Sequence, residues 1–392
     1  MNRNANDMLT AQSAGQPRRL LIFIHSLRGG GAERVAAELA AQWARRGWQV
    51  TVVTQTDTVD DAYPLQLGVR REVLGTAGTS GGGWNGLLAN VRRLRRLRRL
   101  LQERKPDIVL GMMRTSSILA ILAARGLPCR VLATEHTHPP AQPIGRLWRW
   151  LRRRSYPRAS RVVALTRSTA SWLESNIPGT RTAVIPNPVQ WPLTDMSPWV
   201  EPPAAGRKVL LAVGRLHYLK GFDLLIDAFA QVAGKYPDWD LWIAGEGAER
   251  TALDLALERH GLRGRVHLPG RVGNIGDWYQ RADLYVLSSR VEGLSNTLLE
   301  AMASACPVLA CDCDTGPREI IRNDVDGVLV QPAADSAALA RALDELMPDE
   351  ARRARLAQEG LAVRERFSVE NVLGRWENLF EEVSAEPLSS SR

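Results

Sequence analysis

The sequence has little cysteine, no long apolar run and few aromatic residues. Four cysteines in 392 residues (Cys129, Cys306, Cys311 and Cys313) follow no zinc spacing and are too few for a disulfide scaffold. A small stapled fold is thereby excluded, and a reducing compartment is expected. The longest wholly apolar run near the start covers residues 20–24, far short of the ~20 needed to span a bilayer, which argues against an integral membrane protein. Residues 1–17 are polar, lack the apolar core of a signal peptide and read as a disordered leader. Acidic residues are scarce in one half only: residues 1–195 carry 29 Lys and Arg against 12 Asp and Glu, the remainder 22 against 30. Within a net charge of +9, this asymmetry suggests a basic N-terminal half facing an anionic partner, either a membrane surface or nucleic acid. A merely solvated surface is the alternative.

What is present is globular. A chain that is 45% hydrophobic and 24% charged can bury a large core, and its length suggests two domains at roughly 100–200 residues each. Short apolar runs at 20–25, 49–54, 69–74, 107–112, 130–134 and 161–165 alternate with helical patterns such as 32–46, which Gly47 stops. This is the pattern of stacked β-α-β units around a parallel sheet. Six prolines between Pro186 and Pro203 then mark an interdomain linker. The alternation restarts beyond it, with strands predicted over 208–213, 240–244, 265–268, 284–287 and 308–310. A last helix over 368–382 carries Trp376 and Phe380 at helical spacing and could pack across the junction. Two α/β domains with a ligand cleft between them is the reading. Its bounds are a leader at 1–17, an N-terminal domain at 18–195, a C-terminal domain at 196–366 and a crossover helix and tail at 367–392.

Two segments stand out for charge. Residues 90–105 carry seven arginines and Lys105 around an apolar stripe of Val91, Leu94, Leu97 and Leu101. Residues 145–158 interleave Arg149, Arg152, Arg153 and Arg154 with Trp148, Trp150 and Tyr156. Such a mix suits an anionic membrane surface, with rings at headgroup level and guanidinium groups on phosphates. The bland alternative buries the stripes in the core. Nucleic acid would use the same charges, but no helix-turn-helix, zinc-finger or RNA-binding signature accompanies them.

Three constellations carry chemistry. The run from Arg290 to Glu300 follows a predicted strand and opens a helix near Ser295 or Asn296. The amides of Gly293, Leu294, Ser295 and Asn296 then form an anion site at a helix start, fit for a diphosphate, with Glu292 and Glu300 flanking it to accept sugar hydroxyls. Gly214, Arg215, Lys220 and Gly221 follow the first strand of the second domain, a fork and a point charge spaced to meet one diphosphate. Gly29, Gly30 and Gly31 follow the first strand of the first domain and let a ligand approach the backbone, although they do not make a dinucleotide fingerprint.

Together these motifs resemble family 4 retaining glycosyltransferases, which have the GT-B fold of two Rossmann-like domains facing a central cleft. The likeness runs from about Arg19 to Phe380. It is carried by Gly-Gly-Ala-Glu-Arg at 30–34, Ile-Pro-Asn-Pro-Val at 185–189, the Arg215/Lys220 loop, Ala-Gly-Glu-Gly at 244–247 and the Glu-x7-Glu pair of Glu292 and Glu300. Gly-Pro-Arg-Glu-Ile-Ile at 316–321 and Asp-Gly-Val-Leu-Val at 326–330 resemble members that extend bacterial surface glycans on undecaprenyl diphosphate.

The resemblance implies that Arg215, Lys220 and the amides of residues 294–296 hold the donor diphosphate as leaving group. It further implies that Glu300 bonds the ribose, Glu292 the transferred sugar, and the backbone at Val272 the base. His136 would lie near the anomeric centre and Gly30 would face the reacting sugar. Glu135 receives no role. Neither metal nor cofactor is expected, since Asp312-Cys-Asp314 has a metal-like spacing but falls at an interdomain or sugar-side loop. The expected activity is transfer of a hexose or N-acetylhexosamine from a nucleotide sugar, UDP-linked in the leading reading, to a lipid-linked glycan. The enzyme would be cytoplasmic, held peripherally at the inner membrane face, and would not bind nucleic acid. A GDP-mannose or soluble-acceptor transferase, a sugar-nucleotide epimerase and a basic nucleic-acid-binding protein are the alternatives.

Overall fold

A computed structural model describes residues 18–59, 61–76, 84–141 and 144–387. The polar leader at 1–17 lies outside them. Two parallel sheets organise the chain. The first comprises β1 (Arg19–Ile24), β2 (Gln49–Thr54), β3 (Val69–Val73), β4 (Ile108–Gly111), β5 (Arg130–Glu135), β6 (Arg161–Ala164) and β7 (Thr182–Val184), in the order β3-β2-β1-β4-β5-β6-β7. The second comprises β8 (Lys208–Val213), β9 (Trp239–Ala244), β10 (Val266–Gly270), β11 (Leu284–Leu287), β12 (Val308–Cys311) and β13 (Val328–Val330), in the order β10-β9-β8-β11-β12-β13. Both are doubly wound Rossmann sheets.

Their centres follow from sequence. Strand β1 is buried from Leu20 to Ile24 because helices cover both faces, and a strand buried on both faces reads as an unbroken apolar run. The edge strand β3 tolerates Arg70, Arg71 and Glu72 because only one side is paired. The short strands β7 and β13, three residues each, escape the sequence reading because three residues give no period to detect.

The helix Val369–Ala385 packs back onto the first sheet. Val372, Leu373, Trp376, Leu379, Phe380 and Val383 share a core with Leu20, Ile22 and Ile24 of β1 and with Val35, Leu39 and Trp43 of the helix Gly31–Arg45. Trp43 meets Trp376 edge-on at 6.1 Å and Phe380 at 5.4 Å between centroids. The proline-rich segment is pinned to the second domain: Met196 N–H donates to the Gly273 carbonyl at 3.0 Å, and Gly273 N–H to that of Pro198 at 2.6 Å.

Candidate functional site

In an open parallel sheet, ligands bind beyond the carboxyl ends of the strands at the point where strand order reverses. Those points are β1/β4 and β8/β11 here, and the sequence motifs lie on the loops that leave β1, β5, β8 and β11. The two sets of loops face one another.

On the second domain, β11 ends at Leu287 and the helix Asn296–Ala303 begins nine residues later, capped by Ser295, whose hydroxyl accepts from Leu298 N–H. The loop between them is tied down. Arg290 makes a double ion pair with Asp223 at 2.6 and 2.7 Å and stacks over Tyr218, while its N–H donates to the Leu219 carbonyl. These bonds lock the 218–220 turn, which carries Lys220, against the loop that carries Glu292. Lys220 Nζ then donates to Glu292 Oε1 at 2.6 Å, and the Ser289 hydroxyl donates to the same oxygen at 2.6 Å. Glu292 is buried, and the Thr315 hydroxyl donates to its carbonyl. Glu300 is also buried. It accepts from the Tyr279 hydroxyl at 3.2 Å and from Arg34 of the first domain. Burial, and then the Glu300 charge, push the Tyr279 hydroxyl well above its usual range, so it remains a donor.

The first domain supplies the opposite wall. Gly31 opens the helix Gly31–Arg45, and a side chain there would meet the Asn296 amide at 3.0 Å. Asn296 in turn accepts from Asn187 Nδ2 at 2.9 Å. Arg215 reaches across to the Gly29 carbonyl at 3.2 Å. Gly293 lies so close to the His136 carbonyl that an added Cβ would stand 2.1 Å from it, which excludes any other residue at that position without movement. His136 follows the end of β5, and both its ring nitrogens are buried without a hydrogen-bond partner. Burial lowers its pKa to about 4, so the ring is neutral at neutral pH. A neutral imidazole with two unsatisfied nitrogens can donate one hydrogen bond and accept another from a ligand hydroxyl.

The structure therefore brings together Arg215, Lys220, Glu292, Gly293, Asn296, Glu300, His136, Gly30 and Gly31 from loops up to about 270 residues apart. Gly214 is beside them, where a side chain would contact Lys220 and Phe222. Leu294 and Ser295 are buried at the helix start, and Val272 packs on the second-domain core beside the pinned linker. Asp312 is taken up structurally: Arg318 donates to one of its oxygens at 2.9 Å and Gln331 to the other at 2.5 Å. No group of three or more His, Cys, Asp or Glu among the described residues could hold a metal ion.

Sequence reasoning missed Arg34, Tyr279, Ser289 and Asn187. Arg34 was visible only as the last letter of the Gly-Gly-Ala-Glu-Arg run, with no signal that it reaches the other domain. Glu135, which had no role, is buried at the end of β5 and accepts from the Tyr156 hydroxyl at 2.5 Å. This finding corrects the surface reading of Arg152. Its guanidinium lies 3.8 Å from Glu135 and 5.2 Å from the Trp172 ring centroid, with a side chain only 6% exposed. It faces inward because the helix Arg146–Ser155 turns that flank toward β5. Trp148 is also partly buried, packed against the first-domain core. Leu147 and Trp150, each 54% exposed, form the outward face with Arg149, Arg153 and Arg154. The other basic helix spans Trp84–Arg104, and much of its charge is taken up locally. Arg93, Arg96 and Arg98 donate to carbonyls of Thr76, Leu74 and Ala123, and Arg104 pairs with Glu72.

Two family models together match most of the chain: "Glycosyltransferase Family 4" matches residues 29–190 and "Glycosyl transferases group 1" residues 195–362. An exopolysaccharide phosphotransferase of Streptomyces coelicolor is 33% identical over 275 residues, 69% of this chain, although the match spans only 28% of that protein's length. The amylovoran biosynthesis glycosyltransferase AmsD of Erwinia amylovora is 25% identical over 92% of this chain and 99% of its own. An α-1,4-N-acetyl-D-galactosaminyltransferase of Campylobacter jejuni, named for a diNAcBac-PP-undecaprenol-linked acceptor, is 27% identical over 72% of this chain and 77% of its own. Among solved structures, sucrose-phosphate synthase of Thermosynechococcus elongatus superposes with a TM-score of 0.82 at 20% identity, covering 94% of this chain and all of that one. Anabaena HepE in complex with UDP superposes at 0.78 and 22% identity, over 93% of this chain and all of that one. The two facing Rossmann sheets, the loops that converge between them and these matches place the chain in the family 4 glycosyltransferases of the GT-B fold, among relatives that build bacterial polysaccharides and glycans.

Proposed function

We propose that the protein is a metal-independent, retaining glycosyltransferase that moves a hexose or N-acetylhexosamine from a UDP-linked donor to a lipid-linked glycan at the inner face of the membrane. The observation that carries this reading is the gathering of Arg215, Lys220 and the start of the helix Asn296–Ala303 on the facing loops of the two domains, with Glu292 and His136 on those loops and Glu300 on that helix. Departure of a nucleoside diphosphate builds negative charge on the β-phosphate. Two preorganised cations and helix-terminal amides offset that charge, the task a metal ion performs elsewhere. Glu300 would accept the ribose hydroxyls and Glu292 a hydroxyl of the sugar, and Lys220 would be shared between Glu292 and the phosphate. The neutral His136 would bond a sugar hydroxyl near the anomeric carbon.

The lipid-linked acceptor is supported by the Campylobacter relative's name and by the outward face of the helix Arg146–Ser155. No helix among the described residues is long and apolar enough to cross a membrane. The test is a panel of UDP- and GDP-sugars assayed with a polyprenyl-diphosphate-linked acceptor, with and without chelator. Transfer from a UDP-sugar in the presence of chelator, with the anomeric configuration kept, is expected. Strict dependence on magnesium or manganese would overturn the electrostatic reading, and transfer from GDP-mannose alone would replace the donor.

A further inference from the structure

Arg34 sits one turn into the helix Gly31–Arg45 of the first domain, and its guanidinium crosses the cleft to donate to Glu300 Oε1 of the second. It is the same side chain that faces Glu38 on its own helix, with Nε 3.6 Å from the Glu38 carboxylate. The Glu300 side chain is 4% exposed, and those of Arg34 and Glu38 are 28% and 29% exposed, so all three lie in the seam between the domains. One cation is thus held between two carboxylates that belong to different domains. Glu300 retains room for more: a carboxylate offers about four lone-pair directions, and here Arg34 and Tyr279 take one each. A ribose diol can therefore be accepted while the Arg34 bond persists.

We propose that Arg34 is a positioning residue that rivets the cleft shut, its single positive charge cancelling the repulsion between Glu38 of one domain and Glu300 of the other. Without that charge, two carboxylates face each other in a part-buried seam, where like charges are weakly screened and strongly disfavoured. The shifts point the same way. Burial holds the Glu38 carboxyl above its usual range, the Arg34 charge opposes it, and the Glu300 charge adds a smaller push upward, while the Glu300 charge raises Arg34. Tyr279 holds the other Glu300 oxygen, so the carboxylate keeps its place for a ligand when Arg34 is replaced. The link to donor binding rests on the reading of Glu300 as the ribose acceptor. Closure itself does not.

The test compares the full chain with Arg34→Gln, the double variant Arg34→Gln/Glu38→Gln, and Glu300→Gln. Small-angle X-ray scattering without ligand reads domain opening, and calorimetry with UDP reads donor-site affinity. Arg34→Gln is expected to enlarge the radius of gyration, because a neutral amide leaves Glu38 facing Glu300. The double variant should return toward the unmodified value, because only one carboxylate remains. UDP affinity in Arg34→Gln should stay within about twofold, while Glu300→Gln loses tenfold or more, about 1.4 kcal/mol. An unchanged radius in Arg34→Gln, or a double variant as open as the single one, overturns the rivet. So does a UDP loss in Arg34→Gln as large as that in Glu300→Gln, which would make Arg34 a donor ligand. A gain in UDP affinity would overturn it as well, since Arg34 would then be a competitor for Glu300. Absence of UDP binding by the unmodified chain would count against the donor reading alone and leave the scattering result standing.

Discussion

At the scale of single residues, the two acidic groups of the site and His136 are buried, and each sets a distinct expectation. Lys220→Ala removes a cation aimed at the donor and leaves the buried Glu292 with only the Ser289 hydroxyl. It should lower UDP affinity at least tenfold, about 1.4 kcal/mol, and cost some stability, since a buried carboxylate loses its countercharge. Calorimetry and thermal melts on one preparation separate the two effects. His136 gives a pH signature. Its pKa is about 4 in the folded chain against an ordinary 6.5, so between those values the unfolded chain binds the extra proton. The folded state is therefore favoured above pH ~6.5 and loses that advantage as pH falls toward 4. Melting temperatures of the unmodified protein should fall more steeply over this window than those of His136→Gln. Parallel curves would mean that the ring takes up its proton at the same pH in the fold as in the unfolded chain, and would overturn the burial that holds it neutral.

At the scale of elements, the helix Arg146–Ser155 has two faces with opposite tasks. Outward, Arg149, Arg153 and Arg154 flank Leu147 and Trp150; each arginine near an anionic bilayer contributes roughly 1 kcal/mol. Changing all three to Gln should weaken binding to phosphatidylserine vesicles by about 3 kcal/mol, more than a hundredfold, without lowering the melting temperature. Unchanged co-sedimentation would leave this face without a partner. Inward, Arg152→Gln should destabilise the fold and leave vesicle binding alone, because it strips the buried Glu135 of its cation. The helix was legible in the sequence as basic and aromatic, yet its two faces were not. Arg152 sits among other arginines, and only the position of Glu135 at the end of β5 decides which one turns inward. The same holds for the helix Trp84–Arg104, whose arginine count was plain but whose carbonyl partners on residues 74–76 and 123–125 come from distant parts of the chain. By contrast, Arg215, Lys220 and Glu292 could be named as candidates because each lies a short loop beyond a strong apolar strand, and Glu300 because it lies on the helix that follows.

At the scale of the whole molecule, two chain segments cross between the domains, and they run side by side: Val189 N–H donates to the Phe367 carbonyl at 2.8 Å, and Arg364 stacks on Trp191 at 4.1 Å. The second crossing delivers the helix Val369–Ala385 to the first domain. Its six buried side chains, at about 1.5–3 kcal/mol each, contribute on the order of 10 kcal/mol, as much as a typical domain's entire stability. Truncation after Phe367 should therefore leave the first domain unable to fold and the protein insoluble, while a soluble, cooperatively melting product would mean that the helix is dispensable. This return also bears on synthesis at the ribosome. Domains ordinarily fold in the order they are made, N-terminal first. Here the first sheet cannot finish its core until every strand of the second has been translated, so the later-made domain is the first whose core is complete. Limited proteolysis of nascent chains stalled on an unstructured linker placed after residue 367, long enough to bring that residue out of the ribosome, should find the second sheet protected and the first still open to cleavage around Trp43.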